Sequence, residues 1–322
     1  MTIRLQHRQF RFALSRPLRT ASGELQERCG WLLRLEDDHG AVGWGDVAPL
    51  QSHQWSLCQD ALESLPPVSS WAQLEALILD APGAVGFGLG AALAELEGLV
   101  GDQASQGWLE APDPAVLLPA GEAMLPALEA VRESPMGLEG RTFKWKVATE
   151  SDRLERRWLD QLLQRLPLTA RLRLDANAGW DRSTAQAWMQ RLLNDPRLAW
   201  LEQPLAVEDQ PGHEELAALG PVALDESLDQ RPELRRSWSG WQVRRPALEG
   251  DPRVLLRELQ AGVPHRMLST AFETGIGRRW LNHLARLQMQ GPTPAAPGLA
   301  PGWTPSGALF STAPERVWAA AG

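Results

Sequence analysis

The chain has 322 residues, which is enough for one large domain or two smaller ones. A net charge of -8 and a pI near 5.4 disfavour a nucleic-acid partner. No stretch of about 18 apolar residues exists, so no membrane span is expected, and the first residues lack the apolar run of a secretory signal. Its two cysteines, Cys29 and Cys58, form no CxxC pair. These features predict a cytoplasmic protein in a reducing compartment. They do not predict an oligomeric state.

The first part of the chain mixes strands and helices. Alternating apolar positions and a His39-Gly40 turn predict three strands that pair as an antiparallel meander. The predicted strands are residues 4–14, 29–36 and 41–47, and the helices that follow are residues 56–65, 71–79 and 89–100. Glycines 83, 86, 88 and 90 precede the last helix without the lysine of a phosphate loop, so a turn or close helix packing is expected there.

From about residue 115, short apolar strands alternate with charged helical stretches, which is typical of a parallel (β/α) barrel. Strands are predicted at residues 115–119, 142–147, 170–174, 199–201, 221–224, 241–244, 264–268 and, as an eighth, near 293–297. Helices are predicted at residues 151–165, 183–193, 214–219, 232–236, 252–261 and 277–287. The chain thus divides into an α+β domain at 1–110, a barrel at 111–301 and a tail at 302–322 that folds back onto the first domain.

Three carboxylates lie where consecutive predicted barrel strands end: Asp175, Glu202 and Asp225. Each spacing is about one strand-helix unit, so the three side chains project toward the same end of the barrel. Their charges repel unless a cation lies among them, and Mg²⁺ is the hard cation that prefers oxygen ligands, with Mn²⁺ as a possible substitute. The alternative is that each acid caps the following helix. Three matched positions favour the metal site.

Lys144 and Lys146 are the only lysines in the chain, and all other strongly basic residues are arginines. They lie two residues apart on one predicted strand, so both point to the same side. Arginine stays protonated near neutral pH, whereas lysine can act as a base once its surroundings favour the neutral amine. Each of the two ammonium groups is expected to lower the pKa of the other lysine, and a nearby divalent cation is expected to lower both. Such a lysine suits removal of a proton from a carbon next to a carboxylate, while the metal stabilises the enediolate.

Together these segments resemble the enolase superfamily, and within it the muconate-lactonizing subgroup, over nearly the full length. The matching segments are Phe143-Lys-Trp-Lys146 (the KxK motif), Asp175-Ala-Asn177, Glu202-Gln-Pro204, Asp225-Glu-Ser227 and Gly43 to Leu50, where Asp46 replaces the glutamate of a GxGE motif. The resemblance implies an α+β capping domain and a modified (β/α) TIM-type barrel. It also implies Lys146 as catalytic acid/base with Lys144 beside it, Mg²⁺ on the three carboxylates, and Asn177 adjoining the site.

Arg245 bears on which reaction of the subgroup is expected. Members usually carry a second lysine before a proline at the end of the sixth strand, but here the segment is Val243-Arg-Arg-Pro246. Racemases need a base on both faces of the substrate carbon, and arginine is a poor base. A one-base reaction is therefore favoured, such as that of the o-succinylbenzoate synthases in menaquinone or phylloquinone biosynthesis, with Arg245 in cation–π contact with the substrate ring. The alternatives are a cycloisomerase, an N-succinylamino acid racemase, or a barrel that only binds ligands.

The expected substrate is a small dicarboxylate, and a few residues are candidates for binding it. Ser269 and Thr270 follow the seventh predicted strand, in a segment that resembles the substrate-contacting segment of these synthases, and ordinary strand-end capping is the alternative. Gly298 lies in a segment that resembles the one at the eighth strand of the family, where a glycine permits close approach. Arg28, or alternatively Arg19, is a candidate for holding the succinyl carboxylate. His265 opens a strand and is expected to be structural.

Overall fold

The computed structural model describes residues 2–20 and 23–322, and the side chains of residues 18–20, Arg19 among them, lie outside what it describes. The chain forms two compact units. The first comprises Met1–Pro112, Arg244–Pro264 and Leu268–Gly322, and the second comprises Asp113–Val243 and His265–Met267. The structure thus groups the residues differently from the linear division at 110 and 301, because the last part of the chain lies with the first.

The first unit contains a four-stranded antiparallel sheet. Its strands are β1 (Thr2–Thr20), β2 (Gly23–Asp37), β3 (Val42–Val47) and β4 (Val68–Ser70), in the order β3-β2-β1-β4. The predicted meander of three strands is confirmed, and β1 and β2 are longer than predicted. They continue past the apolar alternation because each supplies the other's backbone hydrogen bonds, with an irregularity between Ala13 and Leu18.

Three helices accompany these strands: α1 (His53–Glu63) lies between β3 and β4, and α2 (Trp71–Asp80) and α3 (Gly83–Leu96) follow β4. The predicted glycine run lies inside α3, where it permits close packing and forms no turn. A Cβ at Gly45 of β3 would lie 2.2 Å from the carbonyl oxygen of Gly88, and one at Gly43 would lie 2.0 Å from that of Ala92. Backbone therefore meets backbone where β3 crosses α3, and only glycine fits on the strand.

We expect Gly45→Ala to lower the free energy of unfolding by about 3 kcal/mol, because the new methyl group forces the packed backbones of β3 and α3 apart. Urea denaturation followed by circular dichroism measures this loss. Leu79→Ala is the control, because this side chain on α2 is 84% exposed, and its effect should stay within about 0.5 kcal/mol. Equal stability of the two variants would contradict the close packing.

The remaining helices of the first unit are α10 (Pro252–Gln260), α11 (Gly275–Gln290) and α12 (Pro314–Ala319). The C-terminal residues pack against the antiparallel sheet. Trp318 of α12 lies against Trp44 of β3, and its carbonyl oxygen accepts a 3.1 Å hydrogen bond from Arg8. Phe310 meets Phe12 edge to face. The tail therefore completes an aromatic layer over β1 and β3.

Asp46 joins β3 to the start of α11 inside the first unit. Its Oδ2 accepts hydrogen bonds from the backbone N–H (2.8 Å) and the hydroxyl (2.6 Å) of Thr274, the residue before α11. Its Oδ1 is buried without a hydrogen-bond partner among the described residues. Burial raises the pKa of the Asp46 carboxyl from 3.8 to about 6, although the Thr274 hydrogen bonds oppose this effect. The folded protein therefore binds this proton more tightly than the unfolded chain does.

It follows that the contribution of Asp46 to stability is greatest below pH 4 and is lost as the pH rises through 6. The difference between a pKa of 3.8 in the unfolded chain and of about 6 in the folded protein corresponds to about 3 kcal/mol of stability. We expect Asp46→Asn to remove this part of the pH dependence, because an amide stays neutral. The free energy of unfolding of both proteins, measured between pH 4 and pH 7.5, tests this expectation. Parallel pH profiles for the two proteins would contradict it.

The second unit is built on a parallel sheet with helices between its strands. The strands are β5 (Val116–Leu118), β6 (Thr142–Lys146), β7 (Arg171–Asp175), β8 (Leu198–Glu202), β9 (Val222–Leu224), β10 (Trp241–Arg244) and β11 (Arg266–Leu268), in sequential order across the sheet. The helices are α4 (Met124–Arg132), α5 (Asp152–Arg165), α6 (Arg182–Leu192), α7 (Gln210–Ala217), α8 (Glu226–Gln230) and α9 (Leu234–Ser237). The predicted alternation of strands and helices is confirmed for these seven strands.

The core of the second unit lies between the strands and their helices. Phe143 and Trp145 of β6 are fully buried in it, and Trp145 packs against Trp188 of α6. Because side chains alternate along a strand, Lys144 and Lys146 point to the opposite side of the sheet. The apolar residues of β6 thus fix the direction of both lysines.

The predicted eighth strand at residues 293–297 is wrong: the described residues form no strand there. The segment has prolines at 292, 294 and 297, which lack the N–H that a ladder needs. The side chain of Gln288 instead donates to the carbonyl oxygen of Thr293 (2.6 Å) and accepts from the N–H of Ala295 (3.4 Å). An isolated parallel bridge between Ser269 and Gly298 is what remains of the predicted pairing.

Candidate active site

Three of the predicted site residues lie side by side at the ends of adjacent parallel strands. Lys146 is the register partner of Asp175, and Asp175 is the register partner of Glu202. Glu202 in turn pairs with Ala223, so Asp225, two residues further, lies on the same side of the sheet. Asp175, Glu202 and Asp225 are each at most 1% exposed. The sheet register therefore gathers one lysine and three buried carboxylates at one edge.

Lys144 lies one step below this row and contacts two of the carboxylates. Its ammonium is 2.8 Å from Asp175 Oδ2 and 2.5 Å from Glu202 Oε1. Burial would lower the pKa of Lys144, but the carboxylates of Asp175, Glu202 and Asp225 outweigh burial and raise it above the usual value. The carboxylates by themselves thus shift the pKa of Lys144 in the direction opposite to the one expected from a neighbouring ammonium and Mg²⁺. Its nearest charged neighbours are acids, so it is the positive partner of the carboxylate group.

The carboxylates differ in how they respond to these surroundings. Burial raises the pKa of Glu202, and repulsion from Asp175 and Asp225 adds to this effect against the attraction of Lys144. Burial acts in the same direction on Asp175, but the Lys144 and Lys146 ammonium groups and the backbone N–H of Asn177 together outweigh it and lower the pKa of this residue. The three acids are therefore close enough to repel one another, and positive charge among them offsets this repulsion.

Lys146 is held by an amide that is itself held by a carboxylate. Its ammonium donates to Asn177 Oδ1 (2.9 Å), and Asn177 Nδ2 donates to Glu226 Oε1 (2.9 Å). A carboxylate can only accept, so Glu226 fixes which end of the Asn177 amide faces Lys146. Asn177 has a left-handed backbone with φ of 44°, which asparagine adopts more readily than most residues. Asn177 thus orients Lys146 directly, and Glu226 was not identified from sequence.

Gln203 organises the loops around Asp225. Its side-chain oxygen accepts from the backbone N–H of Asp225 (3.1 Å) and of Ser227 (3.0 Å), and its Nε2 donates to Ser227 Oγ (2.8 Å). Gln203 was part of a quoted motif without an assigned role. Its left-handed φ of 35° places the side chain against the next strand end. The end of β8 therefore supports the acid that follows β9.

The donor chemistry of this group fits a hard divalent cation. All three acids supply carboxylate oxygen, the ligand type that Mg²⁺ prefers, and no sulfur or imidazole competes at their strand ends. Among the described residues, no three His, Cys, Asp or Glu side chains are spaced as a ready-made metal-ligand group. The Lys144 contacts show that two of the carboxylates already share a cation. The oxygen ligands of the three acids thus suit Mg²⁺, and the spacing of Asp175 and Glu202 matches their contacts with the Lys144 ammonium.

The remaining predicted site residues belong to the first unit and are described by their neighbours there. Arg245 follows β10, is half-buried, and its backbone N–H donates to Glu249 Oε1 (2.6 Å). The adjacent Arg244 is instead buried in ion pairs with Glu249 and Glu258. Of the two arginines before Pro246, Arg244 therefore has a structural role. Arg245 stays the candidate for contact with a ligand.

Ser269, Thr270 and Gly298 lie together in the first unit. A Cβ at Gly298 would be 3.0 Å from Ser269 Oγ, so the glycine permits the approach of these two loops. The Thr270 hydroxyl donates to Glu273 Oε2 (2.6 Å) and accepts from the N–H of Phe272 (2.8 Å). Thr270 thus shapes the loop before α11. Ser269 is the more accessible hydroxyl of the pair.

Arg28 does not hold its guanidinium ready for a carboxylate. It is 2% exposed, and its two terminal nitrogens donate to the carbonyl oxygens of Pro49 (2.6 Å) and Ala48 (2.5 Å). These bonds fix the loop after β3. The geometry therefore gives Arg28 a structural task in place of the expected substrate contact.

His265 was expected to be structural. It packs against Trp241 and contacts the carbonyl oxygen of Ser239.

Comparison with protein families matches both parts of the chain. Residues 6–96 match the MenC N-terminal domain family, and residues 128–240 match the enolase C-terminal domain-like family. The o-succinylbenzoate synthase of Thermosynechococcus vestitus is 35% identical over 98% of each chain. That of Pectobacterium atrosepticum is 29% identical, covering 85% of this chain and 83% of the relative. No helix among the described residues is long and apolar enough to cross a membrane.

Solved structures agree with this relationship. The structure of o-succinylbenzoate synthase from Thermosynechococcus elongatus BP-1, which has Mg in the active site, superposes with a TM-score of 0.80 at 31% identity, covering 98% of this chain and 99% of the other. A dipeptide epimerase from Enterococcus faecalis V583 shares the fold at 18% identity with a TM-score of 0.71, over 92% and 90% of the two chains. The chain therefore has the enolase-superfamily fold and belongs to the o-succinylbenzoate synthases, which are carbon–oxygen lyases.

Proposed function

We propose that the protein catalyses the Mg²⁺-dependent syn-dehydration of 2-succinyl-6-hydroxy-2,4-cyclohexadiene-1-carboxylate to 2-succinylbenzoate, a step of menaquinone or phylloquinone biosynthesis. The observation that carries the proposal is the row of Lys146, Asp175 and Glu202, in which a lysine oriented by Asn177 adjoins buried acids. The full-length similarity to synthases supports the same reaction. A cytoplasmic location is part of the proposal, and the free thiols Cys29 and Cys58 agree with it.

The proposed roles divide the chemistry between a cation and one base. Asp175, Glu202 and Asp225 would hold Mg²⁺, with Mn²⁺ as a possible substitute. When bound, this ion would stabilise negative charge that develops on the substrate carboxylate. Lys146 takes the proton from the carbon next to that carboxylate and returns it to the departing hydroxyl group on the same face, so one residue acts as base and then as acid.

Other residues assist without accepting the proton. The Lys144 ammonium neutralises Asp175 and Glu202 and adds positive potential next to the reacting carboxylate. Asn177 restricts Lys146 to one direction. Arg245 is proposed to contact the substrate ring as a fixed cation, because its guanidinium does not deprotonate near neutral pH. Ser269 and Gly298 are proposed to contact the substrate.

The direct test is incubation of the purified protein with the cyclohexadiene substrate and Mg²⁺, with aromatic product measured by its absorbance. Product should form with Mg²⁺, form more slowly or not at all with a chelator, and return on addition of excess Mg²⁺. A parallel incubation with N-succinyl amino acids in D₂O tests for racemase activity, in which both enantiomers exchange the α-proton. Rapid exchange from both enantiomers without dehydration would replace this proposal by the racemase.

A further inference from the structure

Below the row of catalytic candidates, the same side of the parallel sheet carries a layer of aromatic rings. Trp200 of β8 lies two residues before Glu202, and its register partner on β7 is Arg173. The Arg173 guanidinium lies over the Trp200 ring, 4.1 Å from its centroid. Trp241 of β10 stacks on the same ring at 4.6 Å and 30°. We call Arg173, Trp200 and Trp241 the interior stack.

The Trp200 ring of the interior stack is contacted by side chains from two other strands. The Arg173 guanidinium comes from β7 on one side of β8, and the Trp241 indole comes from β10 on the other side. Trp200 is 2% exposed, and Arg173 is 1% exposed. An indole packed in this way has little freedom to rotate, because rotation would break both ring contacts. Its N–H therefore points in one fixed direction.

That N–H points at Glu202. Trp200 Nε1 donates to Glu202 Oε2 over 3.2 Å, while the other oxygen, Oε1, faces the Lys144 ammonium at 2.5 Å. Each oxygen of this fully buried carboxylate thus has its own donor. The Trp200 hydrogen bond distinguishes the two oxygens and limits rotation about the last side-chain bond of Glu202. Donors of this kind, one step removed from a metal, commonly set the orientation of the ligand.

We propose that Trp200 is a positioning residue for Glu202, fixing through its indole N–H the direction in which this carboxylate presents oxygen to a divalent cation. The inference rests on the proposed role of Glu202 as a Mg²⁺ ligand. Arg173 and Trp241 act through Trp200 by holding its ring. Phenylalanine can replace the ring approximately but cannot donate, so Trp200→Phe isolates the N–H.

A matched control exists in the same unit. Trp188 is fully buried in α6, and its Nε1 also donates to a carboxylate, Asp152 Oδ1 at 2.6 Å. Asp152 begins α5, and its side chain is 46% exposed, unlike the buried acids at the strand ends. Trp188→Phe therefore removes a comparable hydrogen bond and a comparable volume without touching Glu202. A loss of stability common to both variants reports on packing alone.

The experiment measures the dissociation constant for Mg²⁺ alone, by isothermal titration calorimetry of the chelator-treated full-length chain. We expect Trp200→Phe to weaken binding by about 10- to 100-fold, while Trp188→Phe stays within about threefold of the wild type. Equal affinity of the two tryptophan variants would overturn the inference. Glu202→Gln is measured beside them: if it binds Mg²⁺ as tightly as the wild type, the proposed role of Glu202 fails, and the inference fails with it.

A second measurement on the wild type applies even if Trp200→Phe does not fold. The ¹⁵N-labelled indole N–H signal of Trp200, assigned through its proximity to the Trp241 ring, should shift on addition of Mg²⁺ because the charge at its acceptor changes. The Trp188 indole signal should shift much less. A Trp200 signal that stays unmoved at saturating Mg²⁺ would overturn the positioning role.

Discussion

Lys146→Ala is expected to lower kcat for dehydration by about 10³- to 10⁴-fold, because the variant lacks the group that takes and returns the proton. Lys146 is the lysine in the row of strand ends, and its ammonium lies 2.9 Å from Asn177 Oδ1. Arginine at this position keeps the charge but is a poor base. Lys146→Arg should therefore be nearly as inactive as Lys146→Ala. A steady-state assay of product formation at saturating Mg²⁺ gives both values.

The interpretation of these variants depends on their fold and on their metal affinity. Circular dichroism and calorimetric titration with Mg²⁺ should show that both resemble the wild type, so that the loss lies in the chemical step. Asn177→Ala is an informative companion, because it removes the orienting amide and retains the base. We expect its loss to be smaller than that of Lys146→Ala. Dehydration by Lys146→Ala within tenfold of the wild-type rate would exclude Lys146 as the base.

The second large effect is expected at Lys144, whose removal leaves buried acids without their nearest cation. Lys144→Met keeps most of the side-chain length but removes the ammonium that contacts Asp175 and Glu202. Breaking a buried ion pair by removing one partner typically costs about 3–5 kcal/mol. We therefore expect the free energy of unfolding to fall by about this amount in buffer with a chelator. Urea denaturation measures the change.

Two further variants establish the cause of that loss. Arg191→Met removes an exposed ion pair with Asp160, in which both side chains are at least 50% exposed, so its loss should stay below about 1 kcal/mol. Adding Glu202→Gln to Lys144→Met should recover part of the stability, because one uncompensated charge disappears. Mg²⁺ should lessen the loss in Lys144→Met for the same electrostatic reason. If Lys144→Met is as stable as Arg191→Met, the carboxylates do not depend on this lysine.

The direction of the pKa shift of Lys144 illustrates what local sequence cannot convey. From the chain alone, its nearest charged neighbour is Lys146, two residues away, which favours a lowered pKa. In the structure, carboxylates at the ends of the three following strands outweigh burial and raise the pKa of Lys144. The sign of the shift depends on distances between residues 31 to 81 positions apart in the chain, which only folding sets.

The eighth strand shows a different kind of failure. Apolar and small residues at 293–297 fit the rhythm of the preceding strands, but the prolines remove the donors that a ladder requires.

For the glycines of α3, by contrast, one of the two expectations was confirmed. They were expected either in a turn or in close helix packing, and the second expectation is confirmed by the contact of Gly88 with Gly45. Backbone hydrogen-bonding capacity and steric size decided both cases.

The local pattern of the chain was enough to predict the seven parallel strands, the antiparallel meander and the identity of the acids and lysines at the strand ends. This is possible because strand periodicity and strand-helix spacing are short-range properties, and a parallel sheet then brings equivalent strand ends together. Tertiary structure alone decided that Lys144 binds the acids, that Asn177 and Glu226 orient Lys146, and that Trp200 meets Glu202. Those contacts depend on side-chain directions across strands, for which the pattern of one strand contains no information.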